Sequence, residues 1–397
     1  MKRINLGVVP VEIFLRNIIF VLSIVYFAQG VLYPEGSALS RISLIVYILI
    51  SSYYLYTSVF VRNVGLFEMV LFFLLLINVI YWSLGDKVFY GKPTLHSLKN
   101  YVFFIITFYV FYGLTKKRYI SLRSLRILSI FLLLISVIQF KYGGLNANSD
   151  IIDSEVVNNN AYRFVALLPI IGLTMRYGRW YLFFYGIMMY FVILGSKRGA
   201  IIVFFVGSVF AIYNLLKFSD KKNNVINSLF VLIAMGLIGY FAYDQYNSNY
   251  FLQNRISKTI AGDTSGRDYI YSAIVNGWYN SGNFWNFLLG YGFDGSRRLS
   301  GNYAHNDWLE LLAGQGILGI VLYFLVFYGL IRFYLKNIRF LNANEKSIYL
   351  AVSSMWFTQS LFSMAYANII NYSYTICIGY LMGVAYNRKK ESIASVG

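Results

Sequence analysis

The sequence predicts an all-α integral membrane protein with about twelve membrane-spanning helices, and three observations support this prediction. First, 58% of the 397 residues are hydrophobic, 19% are aromatic and only 4 are proline, a composition that would not keep a soluble fold of this size dispersed. Second, apolar stretches long enough to cross about 30 Å of hydrocarbon recur along the chain. Third, short basic clusters separate these stretches, as the topology of a membrane protein requires.

The net charge of +18 does not indicate a nucleic-acid-binding protein, because the basic residues are divided among these short clusters instead of forming one patch. The single cysteine, Cys377, lies in an apolar stretch, so internal disulfides and cysteine-based metal sites are excluded and a packing role is expected. Lys2 and Arg3 precede a long apolar run without an A-x-A-like cleavage site, so the first span is expected to be retained.

Windows of spanning length place the helices in order along the chain. In the first half the predicted spans are 11–33, 41–61, 65–85, 100–115, 125–142 and 161–176. In the second half they are 180–196, 199–217, 225–243, 307–331, 347–367 and 371–386. The even number of spans puts both termini on one side of the membrane.

The positive-inside rule assigns that side to the cytoplasm. With a cytoplasmic N-terminus, the basic clusters all fall in cytoplasmic segments: 116–126, 176–179, 217–222, 332–346 and 388–390. The acidic, asparagine-rich segment 146–160 then lies outside. In this register Lys117, Lys222 and Lys390 are cytoplasmic, whereas Asn148, Lys258 and Ser300 are external.

One long connection, residues 244–306, falls outside the membrane between the ninth and tenth spans, within a single domain covering 1–397. Its aromatic content, including Trp278 and Trp285, predicts an ordered loop with short amphipathic helices. The segment 265–268 (Ser-Gly-Arg-Asp) fits a capping box that opens one such helix. Ile270, Ala273 and Ile274 share one face of that helix.

Basic residues on the outer side need another explanation, because the insertion bias disfavours them there. Arg198 lies in the hairpin 195–199 (Gly-Ser-Lys-Arg-Gly) between two apolar spans, where a charge near hydrocarbon indicates function. An arginine that anchors a helix end by snorkelling is the alternative.

The outer loop concentrates further cations, namely Arg255, Lys258, Arg267, Arg297 and Arg298. A planar guanidinium binds phosphate oxygens bidentately and stays charged at any working pH, so arginines from two elements could clamp a diphosphate. For any one of these residues, a solvated loop surface is the alternative.

His305 opens the tenth span within 303–310 (Tyr-Ala-His-Asn-Asp-Trp-Leu-Glu). A neutral imidazole can accept a proton from an attacking hydroxyl, and this position adjoins the outer arginines. Asn306 and Asp307 can cap the helix, and Asp307 with Glu310 fits a second capping box. The glycines of 314–319 would permit close helix approach.

These residues resemble the O-antigen ligase and Wzy-type polymerase superfamily, integral-membrane glycosyltransferases of the GT-C class. The ligase motif of a histidine, a polar residue and two spaced small residues is met by His305, Asn306, Gly316 and Gly319. The family's outer-hairpin arginine matches Arg198, and its loop arginine before a short helix matches Arg267. The stretches 290–293 and 158–169 add to the resemblance, which covers 158–330; the first five spans match in hydropathy alone.

The resemblance implies a bacterial inner-membrane enzyme whose site faces the periplasm or exterior. It would transfer a glycan, with inversion, from undecaprenyl diphosphate to a sugar hydroxyl without metal or cofactor. Arg198 and Arg267 would neutralise the departing diphosphate and His305 would take the acceptor's proton, while Arg297, Arg298 and Asn306 would help to bind substrate. The expected partners are the lipid-linked donor, the glycan acceptor, membrane lipids and a chain-length regulator, with no nucleic acid.

Three functions remain open at this point. A polymerase that joins repeat units into O-antigen or capsular polysaccharide is favoured, because the tyrosine-rich spans of this chain resemble those of polymerases. A transfer to protein is disfavoured, because no appended soluble domain for binding a protein acceptor is expected from the sequence. A ligase that moves the finished glycan to lipid A core is the first alternative. A twelve-helix transporter or lipid-linked sugar flippase is the second, although transporters usually place binding groups near the bilayer midplane.

Overall fold

The structure is a computed structural model. It describes residues 11–34, 36–61, 64–86, 88–89, 92–142, 158–175, 179–195, 197–218, 266–366 and 368–395, with isolated positions between 236 and 257. Most of the predicted ninth span, 225–243, lies outside these residues, as do Asn148, Lys222, Arg255 and Lys258.

The helices up to residue 218 follow the predicted spans closely. They are α1 (Val11–Phe27), α2 (Ala38–Val59), α3 (Leu66–Leu84), α4 (Leu95–Lys116), α5 (Leu122–Tyr142), α6 (Ala161–Met175), α7 (Arg179–Leu194) and α8 (Arg198–Phe218). A hairpin of two antiparallel strands, β1 (Val88–Phe89) and β2 (Lys92–Pro93), joins α3 to α4. The first span ends six residues before its predicted boundary at residue 33, because the chain turns at Gly30, where φ is +80°.

In the second half, short helices precede three long ones. They are α9 (Arg267–Tyr279), α10 (Phe284–Leu289), α11 (Gly295–Ser300), α12 (Asp307–Asn337), α13 (Ala343–Phe362) and α14 (Tyr372–Ala394), with 3-10 turns at Ile338–Phe340 and Ile369–Asn371. The predicted span 347–367 instead ends at Phe362, and α14 runs eight residues past the predicted end at residue 386. That extension carries basic residues beyond the apolar part of the helix.

The helical content and the apolar helices confirm an all-α membrane protein apart from the small hairpin. Five helices of the described chain are long and apolar enough to cross a membrane: Ala38–Val59, Leu66–Leu84, Ser97–Lys116, Leu122–Tyr142 and Asp307–Phe340. Three shorter apolar helices lie between α5 and α12 along the chain: Ala161–Met175, Trp180–Leu194 and Arg198–Asn214. The total of twelve spans stays a prediction.

Helices α4 and α14 run side by side at the centre of the bundle. Gly379 of α14 lies against the backbone of α4 at Phe108, and Gly383 lies against Thr115. Because neither glycine carries a side chain, the two helices approach closely along this line. The remaining helices surround this pair, and their outward faces expose large apolar side chains such as Phe205 and Phe324.

At one end of the bundle, here called the basic end, basic side chains form ion pairs with buried or half-buried carboxylates. Lys117 at the end of α4 pairs with Glu12 of α1 at 3.3 Å. Arg388 of α14 donates to Glu345, whose carboxylate is largely buried at the start of α13. Here α1 and α13 begin, and α4 and α14 end.

The opposite end, here called the site end, carries the motifs singled out from the sequence. Gln139 at the end of α5 donates to the carbonyl of Phe27 at the end of α1. Asn158, just before α6, donates its backbone N–H to Gly195, just after α7. Helices that follow one another in sequence, such as α5 and α6, therefore run in opposite directions between the two ends, whereas α4 and α14 run parallel.

Helix α12 is broken at Gly316, whose φ of +60° and ψ of −150° are not helical. The loop after α10 occupies the break: Tyr291 and Gly292 donate their backbone N–H groups to the carbonyls of Ala313 and Gly314 at 2.8 and 3.0 Å. The two glycine motifs therefore pack against each other. The predicted close helix approach at 314–319 is confirmed at Gly316, which lies against the backbone of α10. The backbone conformation at Gly316 separately requires glycine.

Gly316→Ala should destabilise the protein by about 1–3 kcal/mol, because only glycine adopts this conformation readily. The new Cβ would also lie 2.6 Å from the backbone of α10 at Leu288. Gly186→Ala in α7 is the matched control, since no atom lies within 4 Å of its Cβ position. Thermal melting of the purified protein measures both; equal melting temperatures would contradict the role given to Gly316.

Candidate functional site

The starts of α8 and α9 meet at one carbonyl group, that of Phe362 at the end of α13. Arg267, the first residue of α9, donates from Nη1 to this oxygen at 3.2 Å. A Cβ built on Gly199, the residue after Arg198, would lie 3.2 Å from the same oxygen. The structure thus brings the backbone beside Arg198 to the carbonyl that binds Arg267, although the two arginines are about 70 residues apart in sequence.

His305 stands beside this junction in a backbone conformation that is uncommon for a residue other than glycine, with φ at +51°. Its side chain is exposed at the surface. Partial desolvation, followed by the positive charges of Arg267 and Lys197, lowers the pKa of the imidazole below its ordinary value of 6.5. The imidazole is therefore mainly neutral at pH 7, which is the state that accepts a proton.

The backbone on both sides of His305 is held by polar contacts. Ala304 donates its N–H to the buried carboxylate of Glu310 at 2.5 Å, and Ser296 donates to the same carboxylate. Asn306 on the other side is the N-cap of α12 and accepts from the N–H groups of Trp308 and Leu309. This network keeps His305 in its left-handed conformation and its imidazole in the exposed position.

The second predicted capping box, Asp307 with Glu310, is wrong. Of the two residues expected to cap the helix, Asn306 does so, and Glu310 binds the amide of Ala304 ahead of the cap. Asp307 is fully buried and accepts from the N–H groups of Ala365 and Tyr366 at 2.9–3.2 Å. It also accepts from the hydroxyl of Tyr323 at 2.7 Å. Asp307 therefore ties the start of α12 to the chain after α13.

Asn306 adds a second tie to α13 through its amide nitrogen, which donates to the carbonyl of Leu361 at 2.9 Å. Leu361 immediately precedes the carbonyl that binds Arg267. Both polar atoms of the Asn306 side chain thus make hydrogen bonds within the protein. Its role in binding substrate stays a prediction.

The first predicted capping box, at 265–268, is also incorrect. The N-cap of α9 is Gly266, with φ at +77° and no side-chain capping bond. The amphipathic face is confirmed at Ile274, which is fully buried with Ala304 and Ala313, and at Ile270, which packs against that cluster. The apolar face of α9 therefore fixes Arg267 relative to the segment that carries His305.

Arg297 and Arg298 have partners of their own. Arg297 pairs with the largely buried Asp294 at 3.5 Å and lies over the ring of Tyr303 at 5.2 Å. Burial raises the pKa of the Asp294 carboxyl, and the charge of Arg297 opposes that shift. Arg298 pairs with Asp86 at the end of α3 at 2.8 Å. These contacts attach the loop to the bundle. Substrate binding by both arginines stays a prediction.

The asparagine stretch before α6 packs directly on the hairpin of Arg198. A Cβ on Gly195 would lie 2.7 Å from the side chain of Ala161. A Cβ on Gly199 would collide with the hydroxyl of Tyr162, which is itself buried. The two glycines that flank the Lys197–Arg198 pair are therefore required by close packing.

Sequence reasoning missed two residues of this site. Lys197 lies next to Arg198 in the same hairpin but received no separate role, although its charge acts on His305. The sequence indicates only a capping role for Asp307, whereas its carboxylate accepts hydrogen bonds from residues 58 and 59 positions later. An acidic residue at the first position of an apolar helix was the available signal for Asp307, because a buried carboxylate requires several donors.

The arrangement combines an imidazole that is mainly neutral at pH 7 with the cations Lys197, Arg198 and Arg267 at one end of a membrane bundle. It can hold a polyanion and accept a proton beside it. Within the described part of the chain, no group of three or more histidine, cysteine or acidic side chains could hold a metal ion. No family model and no curated protein matches the chain.

Proposed function

We propose that this protein is a polymerase that joins undecaprenyl-diphosphate-linked oligosaccharide repeat units into O-antigen or capsular polysaccharide. The observation that carries the proposal is the convergence of Arg267, the Lys197–Arg198 hairpin and His305 around the end of α13. These are the positions at which the sequence resembles the polymerase and ligase superfamily. The charges suit a diphosphate leaving group, and the imidazole suits an acceptor hydroxyl.

In the proposed reaction, the acceptor hydroxyl oxygen forms a bond to the anomeric carbon of the donor glycan as the bond from that carbon to the diphosphate oxygen breaks. His305 takes the hydroxyl proton, and undecaprenyl diphosphate leaves as an anion. Arg198 and Arg267 stabilise the negative charge that develops on its oxygens. A single displacement of this kind inverts the anomeric configuration.

The distribution of buried charge favours this proposal over a transporter. Among the described residues, the largely buried acidic side chains are Glu68, Asp294, Asp307, Glu310 and Glu345. Asp294 is the N-cap of α11, and each of the others lies in the first turn of its helix. Alternating-access transporters usually carry their binding groups near the middle of the membrane on interrupted helices.

Deleting the gene and separating the surface glycan on a gel tests the proposal. Loss of every chain longer than one attached repeat unit is the expected result for a polymerase. Loss of every attached repeat unit would instead identify a ligase, and unchanged chains would contradict both. Reconstitution of the purified protein with lipid-linked repeat units should then produce a ladder of polymer without added nucleotide sugar.

The topology part of the proposal places the basic end in the cytoplasm and the site end outside. Asn302→Cys at the site end should therefore react with a membrane-impermeant thiol reagent in intact spheroplasts, and Lys390→Cys should react only after lysis. The unmodified protein is the control, because Cys377 is fully buried. The reverse labelling pattern would overturn the proposed orientation and the side on which the reaction occurs.

A further inference from the structure

A cavity of about 610 Å³ opens at the basic end between the start of α3 and the ends of α12 and α14. Four cations line it: Arg332 and Lys336 from α12, and Lys389 and Lys390 from α14. Neighbouring cations such as Arg388 are paired with carboxylates. The side chains of the four lining cations, by contrast, make no hydrogen bond or ion pair with any residue that the structure describes.

The charge balance of this cavity, here called the basic cavity, is strongly positive. Its acidic lining residue is Glu68, a largely buried side chain. Lys116 adds a further positive charge nearby, 4.7 and 4.1 Å from the ring centres of Tyr112 and Tyr386, which both line the cavity.

Bringing these cations together is unfavourable without a bound anion. Arg332 and Lys336 are four residues apart on one helix face, where like charges repel each other. Lys389 and Lys390 approach the same space from a second helix. An anion in the basic cavity would relieve the repulsion and receive several charge-assisted hydrogen bonds.

The apolar residues that line the basic cavity indicate which kind of anion it binds. Phe67, Phe333 and Met382 line it together with the cations. Helices α3 and α12 are both apolar enough to span a membrane, and α12 exposes Ile331 and Leu335 beside the lining residues. A charged cavity at the ends of spanning helices lies at the depth of lipid headgroups, with apolar surface available for acyl chains.

We propose that the basic cavity binds the phosphate headgroup of an anionic membrane lipid, with the acyl chains lying along α3 and α12. The site is separate from the candidate active site, which lies at the opposite end of the bundle. The proposal does not depend on the glycosyltransferase assignment or on which end faces the cytoplasm. A soluble phosphate compound would use the same cations, so the experiment must distinguish the two.

Native mass spectrometry of the full-length protein, released from micelles containing phosphatidylglycerol or phosphatidylcholine, tests the proposal. The unmodified protein should retain phosphatidylglycerol in preference to phosphatidylcholine. R332Q/K336Q should weaken retention of phosphatidylglycerol by about 10-fold or more, because each basic residue near a headgroup contributes appreciably. The matched control R123Q/K346Q removes two basic-end cations that do not line the cavity and should retain the lipid normally.

K389Q/K390Q removes the cations of the other wall and should give the same loss, so the test does not depend on the folding of one variant. Equal retention of phosphatidylglycerol by the lining and control variants would overturn the site. Soluble glycerol phosphate is the second probe, added at the same concentration as the lipid. If it displaced phosphatidylglycerol completely, the ligand would be a soluble phosphate compound and the lipid assignment would be wrong.

Discussion

His305→Ala should slow glycan transfer by about 10²- to 10⁴-fold, the usual contribution of a positioned general base. The fold should survive, because the neighbouring backbone is held by Asn306 and Glu310 and not by the imidazole. Transfer in reconstituted vesicles measures the effect, and thermal melting and donor binding are the controls. Asn302→Ala, which changes another exposed polar residue of the same segment, should leave the rate unchanged.

The pH dependence of transfer provides a sharper test of the same role. A base must be neutral to act, so the rate should fall as the pH drops through the pKa of His305, which is depressed below 6.5. Lys197→Gln removes one of the positive charges that depress it, so the acidic limb of the pH–rate profile should move to higher pH. If His305→Ala kept the native rate from pH 6 to 8, the imidazole would not be the base.

Arg267→Lys should lower the transfer rate by about 10²- to 10³-fold, as expected when a group aimed at developing negative charge is displaced. Lysine keeps the charge but loses the planar fork that contacts two phosphate oxygens at once. Arg198→Lys should have a similar effect, for the same reason. Initial rates with a lipid-linked donor measure both variants.

Arg41→Lys is the matched control for these two variants. Arg41 lies near the start of α2 at the site end, exposed and without a partner among the described residues. Its replacement should leave the rate unchanged. Since Arg267 also donates to the carbonyl of Phe362, melting temperatures separate a loss of catalysis from a loss of structure. Full activity of both Arg198→Lys and Arg267→Lys at normal protein levels would exclude bidentate binding of the diphosphate.

Local sequence patterns predicted the helices well, because an apolar window of spanning length depends on neighbouring residues alone. Helix α12 begins at Asp307, as predicted. The span predicted to end at residue 367 ends at Phe362 instead. The amides of Ala365 and Tyr366 donate to Asp307 and do not continue α13. A contact across 58 residues leaves no periodic signal in either segment.

The sequence names candidate residues for the site, but it could not predict how the backbone brings them to one end of the bundle. Arg198, Arg267 and His305 were identified from residue type and predicted topology. The carbonyl of Phe362, at which the starts of α8 and α9 meet, has no side-chain signature. Asn306 caps α12, as one of the two expected residues, but both capping boxes failed because Gly266 is the N-cap of α9 and Glu310 binds Ala304. The left-handed backbone of His305 depends on the whole surrounding network.

The carboxylate of Asp307 has a mechanical consequence. It holds the amides of Ala365 and Tyr366, so the loop after α13 and the start of α12 must move as one rigid body. Asn306 fastens the same body to Leu361. The backbone at His305 cannot move away from the carbonyl of Phe362 without breaking these hydrogen bonds. Because α9 packs on Ala304 and Ala313 and Arg267 donates to the carbonyl of Phe362, Arg267 and His305 keep a fixed separation.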